Sequence, residues 1–192
     1  TLLLSGANAA LVSRYTFDNS GNLGDDIQNN NEGSLAASPS VTGINDADRG
    51  HVIRFFGGSS GYVHASTALS GSGFTIATWV KADSWNNNRG VFQVQQISGT
   101  SVDVNGANKV IGAWVSNTGI AWGRIIESGG ATQTMTEAGP NITLGEWTHL
   151  AYRGNGSSYQ AFINGVAVLE SAVAYDGTLN THANIVIGRQ GS

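Results

Sequence analysis

Residues 145–168 read GEWTHLAYRGNGSSYQAFINGVAV and contain two short apolar stretches joined by a turn. The stretches AFI and VAV flank Asn164-Gly165, and both turn residues tolerate the positive φ that a type I′ turn requires. This is the strongest short-range signal for a β-hairpin in the chain. The segment therefore predicts antiparallel strands at 158–163 and 166–169.

The same pattern continues on both sides of this hairpin. Stretches of four to nine residues rich in Val, Ile, Thr, Phe, Tyr and Trp end at Gly, Asn, Ser or Asp, and no segment keeps a helical apolar period for three turns. Further strands are predicted at 11–17, 51–56, 61–65, 73–82, 90–97, 109–116, 119–127, 131–136, 146–153 and 184–188. Twelve short strands indicate an all-β fold, a two-sheet antiparallel β-sandwich of the jelly-roll type.

Two segments carry more specific expectations. In GFTIATWVKA (73–82) both alternating sets of side chains are largely apolar, which predicts a central strand covered on both faces. The stretch from Asp18 to Asn45 is polar and rich in Asn, so it is predicted to form one or several long loops.

Composition narrows the class of partner. The chain has 192 residues, a length at which we expect a single domain over 1–192. Charged residues make up 11% of it, and its net charge is −4. Two lysines and no basic run argue against nucleic acid and against an anionic membrane surface. A glycan or a divalent cation fits this composition better. The absence of cysteine excludes disulfides, thiolate metal sites and a cysteine nucleophile, and favours an extracellular bacterial protein stabilised by calcium.

The first residues, TLLLSGANAALV, have no basic region and too short an apolar run for a membrane span. Neither a signal peptide nor membrane insertion is predicted. The expectation is a domain excised from a larger secreted or cell-surface protein, with neighbouring domains on the same chain.

Several blocks in order resemble the concanavalin A-like jelly roll of the laminin-G-like, pentraxin-like type. They are RYTFDNSGNLGDD with NNNEGSL, then DADRGHVIRFFGGSSGYVHA, GFTIATWVKAD, the 145–168 block, and the closing NIVIGRQ. The resemblance implies the sandwich fold. It also implies a further strand after the Ile-Gly, but the sequence stops at Ser192. We expect that this strand is truncated or disordered, that the TLLLSG segment takes its place at the sheet edge, or that a partner chain supplies it.

An acidic, amide-rich loop is the best metal candidate. It supplies the hard oxygen ligands that calcium prefers, and the resemblance maps Asp18 and Asp25 onto positions where calcium ligands often fall. The predicted calcium ligands are Asp18, Asp25, Asp26 and Asn31. The alternative is that these residues stabilise turns by hydrogen bonds from their side chains to nearby backbone amides. The same turn role is the favoured interpretation of Asp46 and Asp48.

The tryptophans divide into two groups. Trp79 and Trp147 lie in apolar, family-like strands and are predicted to be core residues. The others lie in polar or turn-flanking contexts, where an exposed indole could stack on a sugar beside amides and arginines. The predicted ligand-binding residues are Trp85, Arg89, Gln93, Gln95, Trp114, Trp122 and Arg124. Alternatively, Trp114 and Trp122 pack in the sandwich or against each other.

No catalytic constellation is recognisable. The paired acids of jelly-roll glucanases are absent, and GVFQVQQ lacks the histidine of sandwich-type lyases. His149 is interpreted as a structural histidine of the core or of a sheet. The prediction is a non-catalytic, calcium-stabilised carbohydrate-binding module of a secreted bacterial adhesin or polysaccharide-degrading enzyme. The alternative is a structural or protein-interaction domain of an adhesin, which should bury all five tryptophans, whereas a glycan module should expose an aromatic near Arg or amides.

Overall fold

A computed structural model describes the backbone of most of the chain. The described residues are 14–19, 22–23, 33–36, 41–56, 61–67, 73–84, 89–95, 109–126, 132–134, 140–155, 158–171 and 183–188. They form strands β1 (Ser34–Ala36), β2 (Val41–Asp46), β3 (Gly50–Phe55), β4 (Tyr62–Thr67), β5 (Gly73–Val80), β6 (Arg89–Gln95), β7 (Lys109–Val115), β8 (Ala121–Ile126), β9 (Thr132–Thr134), β10 (Thr148–Asn155), β11 (Tyr159–Ile163), β12 (Val166–Ser171) and β13 (Ala183–Ile187).

The strands form two large sheets and a separate hairpin. One sheet has the order β1-β4-β13-β6-β7-β8-β9, the other has the order β12-β11-β10-β5, and β2 pairs with β3. Every pairing between these strands is antiparallel. The predicted all-β antiparallel sandwich is confirmed. None of the described segments is a helix of membrane-spanning length and apolarity.

The core lies between the two large sheets. Phe92 of the seven-stranded sheet meets Tyr152 of the four-stranded sheet edge to face, with ring centroids 5.4 Å apart. Tyr152 in turn stacks on Tyr159 at 6.1 Å. Leu150 and Val94 are fully buried in the same cluster. Because side chains alternate along a strand, the residues between these core positions face away from the cluster.

The predicted hairpin is confirmed. Asn164 and Gly165 have φ of 49° and 80°, and Ile163 pairs with Val166 across the turn. Asn164 also ties the hairpin to β10, because its Oδ1 accepts a hydrogen bond from the His149 amide at 2.9 Å. Its own amide donates to the His149 carbonyl at 2.8 Å.

The predicted long loop between Asp18 and Asn45 is wrong in part, because β1 and most of β2 lie within it. β2 is a weakly apolar strand that is stabilised by its ladder with β3. A Cβ at Gly43 would lie 2.6 Å from Cε1 of His51, so a larger residue there would require the His51 ring to shift. The apolar pattern of residues 41–46 alone does not reveal that β3 is their pairing partner. Of the predicted strand 11–17, Tyr15 forms an isolated bridge and residues 11–13 lie outside the described residues.

Candidate functional site

The four-stranded sheet has one face in the core and one face turned away from it. On β5, Phe74 and Ile76 pack against the core, whereas Thr75, Ala77 and Trp79 alternate with them and are exposed. The prediction that β5 is a central strand covered on both faces is therefore wrong. Among the described strands it lies at one end of the sheet order. We call the side opposite the core the outer face.

An open depression lies on the outer face beside the Asn164-Gly165 turn. It has a volume of about 600 Å³ and is lined by Trp79, Trp147, His149 and these two turn residues. Trp79 lies directly opposite His149 in the β5–β10 ladder. Their rings are 5.0 Å apart with a tilt of 58°, and Trp79 is 45% exposed. The depression therefore offers an indole partly open to solvent.

A cation from the β2–β3 turn extends over this aromatic group. Cζ of Arg49 lies 3.5 Å from the centroid of the Trp79 ring and 6.0 Å from that of Trp147. Lys81 approaches Trp147 as well, with Nζ at 5.7 Å from the ring centroid. Cations over aromatic faces are attracted by the ring quadrupole. The site therefore combines two indoles, an imidazole and positively charged groups.

Asp46 holds these parts together. Its Oδ1 accepts hydrogen bonds from the indole Nε1 of Trp147 at 2.9 Å and from the amides of Asp48 and Arg49 at 2.9 and 3.2 Å. Its Oδ2 accepts a hydrogen bond from Nζ of Lys81 at 3.0 Å. Lys81, then the Trp147 indole and the Asp48 amide, lower the pKa of Asp46 from 3.8 to about 2. The predicted turn role of Asp46 is confirmed, and the carboxylate also joins the β2–β3 hairpin to the site.

Replacing Asp46 by asparagine should lower the melting temperature at neutral pH, because an amide cannot supply two acceptor oxygens or a negative charge for Lys81. A lowered carboxyl pKa stabilises the fold above the unfolded value of 3.8, and this stabilisation is lost as the pH falls through about 2. The difference between the wild type and Asp46→Asn should therefore shrink between pH 4 and pH 2. Thermal melts followed by circular dichroism at several pH values measure it.

The matched control is Asp83→Asn. Asp83 pairs with Arg54 at 2.8 Å, but the two side chains are 64% and 45% exposed, and exposed ion pairs contribute little. We expect a melting temperature close to that of the wild type. Equal losses for both variants, or a difference for Asp46→Asn that persists unchanged to pH 2, would contradict the assigned role of Asp46.

The prediction that Trp79 is a core residue is wrong, and Trp147 is half-buried and lines the depression. His149 is a sheet residue as expected, but it lies on the outer face next to Trp79. A signal for this was present in the sequence. Lys81 belongs to the same alternating set as Trp79, and a lysine in that set indicates a face turned to solvent.

The structure describes part of the predicted ligand-binding set. Trp85 lies outside the described residues. Gln93 is 1% exposed in the middle of the seven-stranded sheet, the opposite of the surface position expected for it, because β6 is covered on both faces there. For the rest the structure describes the backbone, which places Trp114 and Trp122 opposite each other in the β7–β8 hairpin. These remaining residues are Arg89, Gln95, Trp114, Trp122 and Arg124.

The predicted calcium ligands lie mostly beyond the described residues. Asp18 is exposed and follows Phe17, whose carbonyl oxygen lies 2.7 Å from Nδ1 of His51. Asp25, Asp26 and Asn31 are outside the described residues. Within the described ranges no three Asp, Glu, His or Cys side chains form a group that could hold a metal ion. Calcium therefore stays a prediction.

Comparison with known proteins identifies the fold family. A laminin G family model, Laminin_G_3, described as the concanavalin A-like lectin/glucanases superfamily, matches residues 56–192. The chain belongs to this superfamily. The resemblance inferred from the sequence is thereby confirmed. No curated protein matches the chain at a significant level.

Solved structures similar to this concanavalin A-like domain share its fold at low identity. Domain 4 of AbnA, an extracellular arabinanase of family GH43 from Geobacillus stearothermophilus solved with arabinotriose, has a TM-score of 0.63 and 16% identity, covering 94% of this chain and 84% of that domain. Botulinum neurotoxin type C, whose cell entry depends on two ganglioside molecules, has a TM-score of 0.56 and 14% identity, covering 87% of this chain and 40% of the neurotoxin chain.

Proposed function

We propose that this domain is a non-catalytic carbohydrate-binding module. The observation that carries the proposal is the 45% exposed indole of Trp79 in an open depression, with Arg49 stacked on it and Asn164 at the rim. A sugar ring presents a flat patch of C–H groups that can pack on the part of the Trp79 indole that Arg49 leaves exposed, while arginine and amide groups satisfy its hydroxyls. A purely structural domain would instead have buried this indole.

The absence of acids at the depression favours binding over hydrolysis. None of the five residues that line it carries a carboxylate. Canonical glycosidases need two carboxyl groups flanking the scissile bond. The nearby Asp46 already accepts hydrogen bonds from Trp147, Lys81 and two backbone amides, which leaves it poorly placed for acid catalysis. We propose that binding at this depression serves to target a larger protein to its glycan.

The relatives support the same class of ligand. The arabinanase domain was solved in complex with arabinotriose, and the neurotoxin interacts with gangliosides. Two proteins of similar fold therefore interact with carbohydrate. We propose that the parent protein is a secreted bacterial adhesin or polysaccharide-degrading enzyme. We also propose that calcium, held in part by Asp18 and the acidic loop after it, stabilises the domain without taking part in sugar contacts.

A glycan-array screen of the purified domain, once with millimolar calcium and once with EDTA, tests both parts of the proposal. We expect retention of defined polysaccharides in calcium. EDTA should lower the melting temperature, because a ligand that binds the native state alone stabilises it by mass action. An array without binding by the folded domain would contradict the carbohydrate proposal. An unchanged melting temperature in EDTA would contradict the calcium proposal and leave the glycan result standing.

A further inference from the structure

The outer face continues beyond the depression as an ordered set of rows. Pairing of β5 with β10 places Trp79 opposite His149, then Ala77 opposite Ala151, then Thr75 opposite Arg153. All of these residues alternate with core residues, so they share the outer face. The face thus starts with an aromatic row and passes through a row of small side chains.

A second pair of an arginine and an aromatic ring lies at the far end of these rows. Cζ of Arg153 lies 5.6 Å from the centroid of Phe162, and its NH2 group donates to Oε1 of Gln160 at 2.9 Å. Phe162 and Gln160 are the β11 partners of Ala151 and Arg153. Both therefore lie on the outer face. The arrangement repeats the chemistry of Arg49 and Trp79 at a second place on the same sheet.

The two arginines are separated by a flat floor. Trp79 and Thr75 are four positions apart on β5, which corresponds to about 14 Å along the strand at the usual rise. The intervening positions, Ala77 and Ala151, carry side chains too small to block the surface between them. A ligand that contacts both arginines extends from the Trp79–His149 row towards the Phe162 ring, which lies in the Ala77–Ala151 row.

The face carries acidic as well as basic residues, because the register places Glu170 opposite Gln160. Among the described residues, ion pairs join Arg54 to Asp83 and Lys81 to Asp46, and neither Arg49 nor Arg153 has an acidic partner. Asp48, the acidic neighbour of Arg49, forms no ion pair with it in this part of the chain. A guanidinium stacked on a ring keeps its in-plane N–H groups available for hydrogen bonds. Two of these N–H groups, side by side, match the two oxygens of a carboxylate.

From this juxtaposition we propose that the outer face binds an extended acidic polysaccharide, with Arg49 and Arg153 each receiving the carboxylate of a different uronate residue and the chain crossing Ala77 and Ala151. The inference rests on the proposed function and names its ligand class. It provides carboxylates for two guanidinium groups that have no acidic partner among the described ion pairs. A neutral glycan would offer these guanidinium groups hydroxyl acceptors but no carboxylate.

Calorimetric titration with hexamers of galacturonate, glucuronate, mannuronate and guluronate tests the proposal, with the methyl-esterified hexamer of any binder as an uncharged control. We expect at least one acid to bind, its ester to bind roughly tenfold more weakly, and the affinity to fall with added salt. Arg49→Gln and Arg153→Gln should each weaken binding of the acid roughly tenfold and weaken binding of the ester much less, because the ester has no carboxylate for the lost guanidinium. Arg54→Gln, whose guanidinium pairs with Asp83, should bind like the wild type.

Two results would overturn the inference while leaving the proposed function intact. The first is binding of neutral hexamers such as arabinohexaose with none of the acids bound. The second is equal affinity for acid and ester with both arginine variants unchanged. If no acidic or neutral glycan binds the folded domain, the proposed function fails as well. Thermal melts of each variant confirm that the fold is retained, as expected for exposed side chains.

Discussion

Replacing Trp79 by alanine is expected to weaken binding of the glycan retained on the array about tenfold or more, with little change in melting temperature. A stacked ring contact contributes roughly 1.5 kcal/mol, which corresponds to about a tenfold change in Kd. The side chain is 45% exposed and lies outside the core cluster, so its loss opens no internal cavity. Loss of the ring also removes the surface on which Arg49 stacks.

Phe56→Ala is the matched control for this variant. Phe56 is 58% exposed and has Arg54 over its ring at 5.2 Å, but it does not line the depression. We expect unchanged affinity for Phe56→Ala and an intermediate affinity for Trp79→Phe, which keeps a smaller aromatic face. Wild-type affinity in Trp79→Ala would move the binding site away from the depression and direct attention to Trp85.

Replacing Gly188 by alanine is expected to lower the free energy of unfolding by roughly 2–5 kcal/mol, combining backbone strain with overpacking. Gly188 has φ of +83°, and a Cβ there would lie 2.3 Å from Cε1 of Phe55. Its amide also donates to the carbonyl of Val91 at 3.0 Å, which limits how far the backbone can shift. For a chain of this length the melting temperature should fall on the order of 10 °C.

Gly145→Ala separates the two causes of this loss. Gly145 has φ of +75° but nothing within 4 Å of its Cβ position, so it would experience the backbone strain alone. Gly145→Ala should therefore lower the free energy of unfolding by about 1 kcal/mol. Equal melting temperatures for the two variants would mean that the Phe55 ring moves aside freely. That result would contradict the close packing of the β2–β3 hairpin on the end of β13.

The sandwich could be predicted well because its signals are local. Asn164-Gly165 specifies a turn through backbone conformation alone, and the apolar runs of β5, β10 and β11 reveal their own strands. β2 could not be found in this way, since Val41, Gly43 and Asn45 form a strand through pairing with β3. Pairing between two strands depends on both of their sequences, so it cannot be predicted from the β2 segment alone.

The candidate site was predicted less well. Trp79 and Trp147 were assigned to the core because their neighbours are apolar, yet the indoles line an exposed depression. The alternation that makes Lys81 a solvent-facing residue does the same for Trp79. Of the residues expected to bind sugar, Gln93 is buried, and the structure describes no side chain for the others, which include Trp85 and Arg124.

By itself the sequence determined the all-β class and the main hairpin, because these depend on periodicity and turn chemistry along short segments, and its ordered blocks resemble those of the superfamily. The tertiary structure alone decided that Asp46 meets Trp147, 101 positions further along the chain, and that Arg49 lies over Trp79. It also decided that Arg153 shares their face. Contacts between distant segments depend on sheet order and register, which no local pattern contains.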